Sequence, residues 1–409
     1  MFGLCFATVT SQNVRRAKPK VESEPIPGSS RKVNALARAL LHWFSQSARD
    51  LPWRRTRDPY AVWVSEIMLQ QTQVKTVIPF WERWMRSLPT IQSLAEAPPE
   101  QIHKLWEGLG YYTRVRNMQK AARDIIARHH GRFPEDFEAI LDLPGIGRYT
   151  AGAIASIAFN QPKPLLDGNV IRVLTRLFGI AENPRDKPTN DQLWQLAGQL
   201  VLSANGSATT SPNACSHLNQ SLMELGALVC TPKQPKCLLC PVRPHCEAYR
   251  TGQVDQLPNL TQRTAATTCR FMAFVIRKGD RFLVRQRPAG VVNGHLWEFP
   301  NLEVTDLPKP EAQQLAQVHL GFEPKALEPL CTLRHTITRY RITLQVFEGS
   351  LPAGRKARDA QWRTLAQLHQ LPFPSAHKRV VRLLTAGPGA GSKRLNLAHS
   401  HSIPVNLGY

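Results

Sequence analysis

The chain has 409 residues, which favours two or three domains, and its formal net charge is +22, from 52 lysines and arginines against 30 acids. This charge favours a polyanionic partner, nucleic acid before an anionic membrane, and no run approaches the ~18 apolar residues of a membrane span. The cysteines are clustered in a long chain, which argues against a secreted disulfide scaffold and favours a reducing intracellular compartment.

The N-terminal residues 1–31 are basic, with no acid in the first twenty positions and an adjacent arginine pair. They loosely fit an organelle transit peptide, but the favoured interpretation is a disordered basic extension. Residues 32–250 then show apolar spacings of three and four between short Gly or Pro connections, which predict an all-α domain.

One predicted helix has a clear start. Asp58 is the predicted N-cap, Pro59 occupies the first helical position, and Pro79 should break or bend the helix further on. Glu66 lies within this helix among Trp63 and other apolar residues, so its carboxyl group is expected to be desolvated and protonated near neutral pH.

A Gly-rich connection lies between two predicted helices in the stretch LDLPGIGRYTAGAIASIAF. Gly145 and Gly147 permit close approach of the backbone to an anion, and the helix beginning near Arg148 directs free N–H groups at it. A tight turn without a ligand is the alternative. With helices on both sides, the pattern predicts a helix–hairpin–helix that binds a DNA backbone without reading bases.

Asp167 comes just before the predicted helix VIRVLTRLFGI, where the helix dipole and backbone donors should hold its carboxylate ionised. One protonated carboxyl group, on Glu66, and one charged carboxylate, on Asp167, suit the cleavage of a glycosidic bond. Each also has a simpler interpretation, because Asp167 could be only an N-cap and Glu66 only a solvated helix residue.

Four of the eight cysteines fall within seventeen residues, with the spacing C-x6-C-x2-C-x5-C. Four thiolates so close together can hold zinc or an iron–sulfur cluster. Because there is a single C-x2-C pair rather than two, the spacing favours a cubane cluster but leaves zinc open. These residues are Cys230, Cys237, Cys240 and Cys246.

The pattern of apolar and polar residues changes after a polar linker at residues 251–269. Two strand-like runs flank Lys278-Gly279-Asp280, a hairpin signal, and a helix-like stretch precedes the alternating run HTITRYRITLQVFEG. Residues 270–382 are therefore predicted to form a separate α+β domain. Residues 383–409 are rich in Gly and Ser and are predicted to be a disordered tail.

The motifs SEIMLQQTQV, GLGYYTRVRN, LPGIGRYTAGAI and LDGNV occur in this order before the cysteine cluster. Together they closely resemble the MutY-type adenine DNA glycosylases of the endonuclease III-like helix–hairpin–helix superfamily. Residues 270–380 more weakly resemble the Nudix-like C-terminal domain of that family. The resemblance implies a multidomain protein: an all-α helix–hairpin–helix glycosylase domain with an iron–sulfur cluster loop, followed by an α+β Nudix-like domain.

The resemblance implies excision of adenine mispaired with 8-oxoguanine or guanine in duplex DNA, after the adenine is flipped out of the stack. Glu66 matches the general acid that protonates adenine at N7. Asp167 matches the carboxylate that stabilises the sugar cation, and Asn169 supports it. Tyr149 matches a position that shapes the active site.

Other matching positions belong to DNA contacts and to the cofactor. Arg49 and Arg54 match arginines near the adenine pocket. Gln71 and Tyr111 match residues that wedge into the stack. The neighbouring DNA-contact candidates are Gln70, Thr72, Gly145, Gly147 and Arg148. Cys230, Cys237, Cys240 and Cys246 match the ligands of one [4Fe–4S] cluster, which favours iron over zinc.

Tyr149 also separates this chain from close relatives. Endonuclease III-type enzymes carry a lysine there, whose amine forms a Schiff base with the sugar and cleaves the strand, whereas tyrosine cannot form that imine. A monofunctional glycosylase is therefore predicted. The alternatives are a bifunctional glycosylase/lyase for oxidised pyrimidines, disfavoured by Tyr149, and a non-catalytic iron–sulfur DNA-binding protein, disfavoured because Glu66 and Asp167 are both present.

The C-terminal domain departs from the family at the loop that senses 8-oxoguanine. Where family members carry Phe-Ser-His, this chain has Ile337, Thr338 and Arg339. Thr338 can replace the serine hydroxyl as a donor and Arg339 brings a charge, so both are DNA-contact candidates. The alternative is a strand whose face packs within the domain and has no role in sensing the lesion. Residues 294–323 contain no adjacent glutamate pair, so no pyrophosphatase activity is expected.

The expected partner is double-stranded DNA carrying an adenine:8-oxoguanine or adenine:guanine mismatch, with no membrane partner, and the protein is expected to be a monomer. The short connector between the domains is more similar to bacterial than to eukaryotic family members. A bacterial cytoplasm is therefore the favoured location, with an organelle or the nucleus as the eukaryotic alternative.

Overall fold

A computed structural model of the protein describes residues 29–206, 212–261, 265–308, 310–337, 339–357 and 361–386. Most of the predicted extension 1–31, most of the predicted tail 383–409, and Thr338 lie outside these residues. The first helix begins at Ser29, within the predicted extension, and the first strand begins at Thr267, within the predicted linker. No helix among the described residues is both long and apolar enough to cross a membrane.

The N-terminal region is helical, as predicted. Its α-helices are α1 (Ser29–Ser47), α2 (Pro59–Leu69), α3 (Val74–Ser87), α4 (Ile91–Glu96), α5 (Pro99–Trp106), α6 (Thr113–His129), α7 (Phe137–Leu141), α8 (Arg148–Ile157), α9 (Gly168–Phe178), α10 (Lys187–Gly206), α11 (Ala214–Leu228) and α12 (Glu247–Arg250). Three-ten helices cover Pro52–Arg54, Cys237–Leu239 and Arg243–His245.

These helices pack around two hydrophobic cores. The first core takes its buried residues mainly from α2 to α8 and includes Trp63, Trp84 and Trp106. The second is formed by α1 and by α9 to α11, and the cysteine loop packs against its edge. Because α8 contributes residues to both cores, it lies at the boundary between them.

Helix α2 begins as the sequence predicts. Its N-cap Asp58 accepts hydrogen bonds from the backbone N–H groups of residues 60 and 61, and Pro59 takes the first position. Of the predicted break or bend at Pro79, the break is wrong, because Pro79 lies inside α3. The chain instead leaves the helix at residues 70–73, where Gln71 adopts a left-handed φ of 55° that no α-helix can continue.

The C-terminal domain is a mixed sheet between helices. It comprises β1 (Thr267–Lys278), β2 (Arg281–Gln286), β3 (Trp297–Glu298), β4 (Asn301–Glu303), α13 (Ala312–Leu320), β5 (Lys325–Ile337), β6 (Tyr340–Ser350), β7 (Gln361–Thr364), α14 (Leu365–Gln370) and α15 (Ser375–Thr385). The main strand order is β3-β2-β1-β6-β5, and β1 runs parallel to β6 but antiparallel to β2. Residues of α13 pack on one face, and residues of α14 and α15 on the other.

Two hairpins of this domain bear on the predictions. The predicted turn at residues 278–280 is confirmed, since β1 and β2 pair directly across it. The alternating run after His335 is not one strand, because it contains the end of β5 and the start of β6, with Ile337 paired to Tyr340. Arg339 therefore lies at the exposed tip of this hairpin, rather than along a packed strand.

The two domains contact each other through a buried acid. The carboxylate of Glu107, just after α5, accepts hydrogen bonds from the backbone N–H of Phe373 and from Lys378 in the C-terminal domain. Lys104 lies 3.1 Å from the same carboxylate and donates to the carbonyls of His369, in the last turn of α14, and of Leu371 just after it. Leu296, from the C-terminal domain, is buried in the first helical core.

Candidate active site

Glu66 and Tyr149 meet where α2 and α8 pack together. Glu66 is on α2 with 5% of its surface exposed, and the hydroxyl of Tyr149, near the start of α8, donates a 2.7 Å hydrogen bond to its Oε2. Burial raises the pKa of Glu66 to about 7, although the bond from Tyr149 opposes the rise. The desolvation predicted for Glu66 is therefore confirmed, because the apolar neighbours on α2 shield it from water.

Asp167 is the N-cap of α9, as the sequence predicts. Its Oδ1 accepts a 2.7 Å bond from the backbone N–H of Val170, and its Oδ2 accepts a 2.9 Å bond from the amide of Asn169. Burial nevertheless raises the pKa of Asp167 above its ordinary value, because desolvation outweighs these donors. The donors and the helix N-terminus limit this rise; they do not reverse it, which corrects the expectation drawn from the helix dipole alone.

Asn169 also joins Asp167 to the cysteine loop through an arginine that the sequence analysis did not single out. The Arg172 guanidinium donates to Oδ1 of Asn169 at 2.8 Å and to the backbone carbonyl of Cys230 at 2.8 Å. Gly226 on α11 permits this packing, because an added Cβ would lie 2.7 Å from the Cβ of Asn169. The catalytic candidate and the cysteine loop therefore share one buried hydrogen-bond network.

Arg49 and Arg54 converge on Glu224, a second residue that the sequence analysis missed. Glu224 is 1% exposed on α11, and both guanidiniums bind its two oxygens at 2.6 to 3.2 Å. Burial alone would raise the pKa of Glu224, but the bonds from Arg49 and Arg54 hold it at about 2. The preceding residue, Met223, contacts the Tyr149 hydroxyl through its sulfur at 3.6 Å, so this ion network adjoins Glu66.

The predicted wedge residues lie on two neighbouring loops. Gln71 and Tyr111 both have left-handed backbones, with φ of 55° and 48°, and Tyr111 is 41% exposed. The side chain of Gln70 reaches Thr150 on α8 at 3.4 Å, and the hydroxyl of Thr72 donates to the carbonyl of residue 70. The structure therefore brings these four candidates to two loops, the first of which contacts α8.

The predicted hairpin joins α7 to α8. Gly145 has a φ of 79°, and a Cβ there would lie 2.6 Å from the side chain of Asn117, so both conformation and space require glycine. Gly147 has an ordinary extended φ and serves as the N-cap of α8. Arg148 stacks over Trp194 at 4.0 Å, which directs its side chain along the protein surface. At the tip of the other domain, Arg339 bonds the Tyr340 hydroxyl at 3.1 Å.

The four clustered cysteines line a single cavity whose remaining walls are mainly apolar and come from α9, α11 and the loop itself. Nowhere in the described part of the chain are three His, Cys, Asp or Glu side chains grouped as ligands of one metal ion. Four thiols around a common space are a donor set that can hold zinc or an iron–sulfur cluster. Arg176 approaches the Cys230 sulfur at 3.4 Å and supplies a donor to it.

Comparisons with known proteins agree with this architecture. Residues 64–199 match the HhH-GPD superfamily of base excision DNA repair proteins, and residues 272–383 match the NUDIX domain family. The chain is 36% identical to the adenine DNA glycosylases of Rattus norvegicus, over 88% of this chain and 81% of that protein, and of Homo sapiens, over 88% and 77%.

Among solved structures, the chain is similar to a thermostable thymine-DNA glycosylase, at 29% identity and a TM-score of 0.49. That similarity covers 55% of this chain and 99% of the other. The two adenine DNA glycosylases align with most of this chain and with most of their own length. The chain therefore belongs to the adenine DNA glycosylase family.

Proposed function

We propose that this protein is a monofunctional adenine DNA glycosylase of base excision repair. Its substrate is duplex DNA in which adenine is mispaired with 8-oxoguanine or guanine, and it hydrolyses the N-glycosidic bond of the adenine. One observation carries the proposal: Glu66, buried with a pKa of about 7, lies close to Asp167 at a helix N-terminus. We propose that the space beside these two carboxyl groups is the cleft that receives the adenine. The two are close enough that the charge of Asp167 contributes to the raised pKa of Glu66.

The chemistry begins with the flipped adenine in the cleft. Glu66 gives its proton to N7, the C1′–N9 bond breaks, and the bonding electrons leave with the adenine. The sugar is left as an oxocarbenium-like cation, which the Asp167 carboxylate stabilises while Asn169 and the Val170 N–H hold that carboxylate in place. Water then adds its hydroxyl to C1′ and returns one proton to Glu66, and an abasic site remains.

Tyr149 supports the monofunctional outcome. Its hydroxyl is committed to the Glu66 carboxyl group, and a phenol has no amine with which to open the sugar as an imine. Glu224 holds Arg49 and Arg54 in place through charge-assisted hydrogen bonds, so neither guanidinium forms an ion pair with Glu66. These side chains supply a polar wall for the proposed adenine pocket.

We propose that Cys230, Cys237, Cys240 and Cys246 hold one [4Fe–4S] cluster, which when bound supplies a rigid cross-link of the loop and a redox-capable centre. The common cavity of the four thiols supports this assignment. The excision steps themselves are carried by Glu66 and Asp167, and the loop reaches them only through the Arg172 hydrogen bonds.

DNA binding is supported by the charge and by the exposed elements around the cleft. The Gly145 hairpin and the N-terminus of α8 suit a phosphate, while the exposed Tyr111 and the left-handed Gln71 suit insertion into the base stack. Arg339 at the β5–β6 tip extends the basic surface to the C-terminal domain. Because the substrate is DNA, we propose that the protein works inside the cell.

The test is an excision assay on duplexes that carry adenine opposite each of several bases, with and without hot alkali. We expect adenine release from the 8-oxoguanine and guanine mispairs, with strand breaks after alkali only. Abundant breaks without alkali would support the bifunctional alternative. Release of an oxidised pyrimidine in place of adenine would contradict the substrate assignment.

A further inference from the structure

Arg114, on the first turn of α6, lies half-buried between two loops. Its Nη1 donates to the carbonyls of Ile67 at 2.7 Å and Gln70 at 2.6 Å. Its Nη2 donates to the carbonyls of Leu109 at 3.1 Å and Gly110 at 3.2 Å. One guanidinium thus joins the end of α2 to the turn that precedes α6.

The first pair of carbonyls lies at the C-terminal end of α2. The last carbonyls of a helix have no partner within the helix and need an external donor when they are buried. Arg114 supplies that donor to the carbonyls of Ile67 and Gln70 at the C-terminal end of α2.

The second pair of carbonyls belongs to the residues immediately before Tyr111. Gln71 follows one set of bonded carbonyls, and Tyr111 follows the other. Both residues have left-handed backbones, which residues other than glycine adopt rarely. Such conformations persist only where the surroundings fix them. The guanidinium of Arg114 also lies 5.5 Å from the centre of the Tyr111 ring, so it contacts the side chain of this loop as well as its carbonyls.

We propose that Arg114 is a positioning residue for base flipping: it clamps the Gln71 and Tyr111 loops in one fixed relation, so that both side chains enter the stack together. The inference rests on the proposed function, because it assigns a step of that reaction. Arg114 does not touch the reacting atoms. Its effect is confined to the energy needed to extrude the adenine, and it leaves bond cleavage in an adenine already outside the stack unchanged.

The shape of the side chain matters to this role. A guanidinium is a planar fork that can bond two pairs of carbonyls at once, whereas the ammonium of lysine is a compact point charge. Arg114→Lys keeps the positive charge but reaches only one of the two loops. If Arg114 served charge alone, lysine would rescue it; if it serves as a clamp, lysine leaves the loops uncoupled.

The experiment measures the single-turnover rate of adenine excision for Arg114→Gln, Arg114→Lys and the unchanged (wild-type) enzyme on two duplexes. One carries adenine opposite 8-oxoguanine, and the other carries adenine opposite an abasic-site analogue, where no pair must be broken. Arg83→Gln is the matched control. Arg83 also donates to a buried helix-end carbonyl, that of Leu105, but in a different part of the same core.

We expect the single-turnover rate of both Arg114 variants to fall about a hundredfold on the 8-oxoguanine duplex, because a small displacement of positioning groups has an effect of that size. On the duplex with the unpaired adenine, the rate should fall less than about threefold. A 2-aminopurine beside the target adenine should brighten when the unchanged enzyme binds and stay quenched with the variants. Arg83→Gln should match the unchanged enzyme in all three measurements.

Equal losses on both duplexes would overturn the proposal, since they would mean that the variant disturbs the site as a whole. Full activity of Arg114→Lys on the 8-oxoguanine duplex would overturn it as well. Where Arg114→Gln does not fold, Arg114→Lys and its fluorescence signal decide alone. If the unchanged enzyme releases adenine from neither duplex, the proposed function fails, and that outcome is distinct from failure of the clamp.

Discussion

The hydroxyl of Tyr149 donates a 2.7 Å hydrogen bond to Oε2 of Glu66, and so links the first residues of α8 to the middle of α2. The bond favours the ionised form of a carboxyl group that burial drives towards the protonated form. These opposing effects leave the pKa of Glu66 at about 7, where the group holds a proton for part of the time and can accept one back.

The pH dependence of excision follows from this balance. Because the acid must be protonated, the single-turnover rate should fall as the pH rises through about 7. In Tyr149→Phe the bond that lowers the pKa is lost, so the falling limb should move to higher pH, by about one unit. A pH–rate profile of both enzymes measures this. A limb that stays in place or moves to lower pH would show that the limb does not report Glu66.

Glu224 should be a major contributor to stability. Removing one partner of a buried ion network leaves uncompensated charge, so Glu224→Gln should lower the free energy of unfolding at pH 7 by about 3 kcal/mol. The folded pKa of about 2 lies below the ordinary 4.5, so this stability is present above pH 4.5 and is lost as the pH falls towards 2. Denaturant unfolding at pH 7 and pH 3 measures the difference between the two proteins.

Asp50→Asn is the matched control for that change, because the Asp50–Arg55 pair is exposed and should leave the unfolding midpoint unchanged. If the loss in Glu224→Gln stays the same at pH 3 as at pH 7, the carboxylate charge is not its source.

Contact between the domains should depend on Glu107. Glu107→Gln removes the charge that faces Lys104 and Lys378, so the C-terminal domain should unfold separately and at a lower temperature than the helical domain. Calorimetry of the full chain measures this as a second transition. Asp191→Asn, which breaks the exposed pair with Lys187, is the control and should unfold as the unchanged protein does. A single unshifted transition in Glu107→Gln would argue against this contact.

The β5–β6 tip should decide the preference between mispairs. Arg339 is exposed beside Thr338, so changing both to Ala should reduce the ratio of excision rates on 8-oxoguanine and guanine mispairs, by about tenfold for one lost charge-assisted bond. Thr332→Ala, an exposed change further down β5, is the control. An unchanged ratio in the double variant would support the interpretation that this hairpin only packs.

The sequence carries much of this site in local signals. The apolar neighbours of Glu66 predict its desolvation, the position of Asp167 before a helix predicts its cap, and the glycines predict the hairpin at Gly145. Each of these depends on residues a few positions away. Two strand-like runs around residues 278–280 likewise predict the β1–β2 hairpin of the α+β domain.

Other features depend on partners far along the chain and left no local signal. Glu224 looks like any polar residue within a helix until Arg49 and Arg54, about 170 residues earlier, are brought to it. The end of α2 at Leu69 is another such feature, because the sequence predicts a break or bend only at Pro79, where proline is a strong local signal. Arg114 bonds the carbonyls at this helix end from more than 40 residues away, and no pattern of apolar spacing reports such bonds.

The most direct measurement of the central claim is the single-turnover rate of Glu66→Gln on an adenine:8-oxoguanine duplex, together with the dissociation constant for that duplex. Glutamine preserves the shape of the side chain but cannot give up a proton to adenine. We expect the rate to fall by at least about a hundredfold, with the dissociation constant nearly unchanged. A rate within a few-fold of the unchanged enzyme would contradict the assignment of Glu66 as the acid.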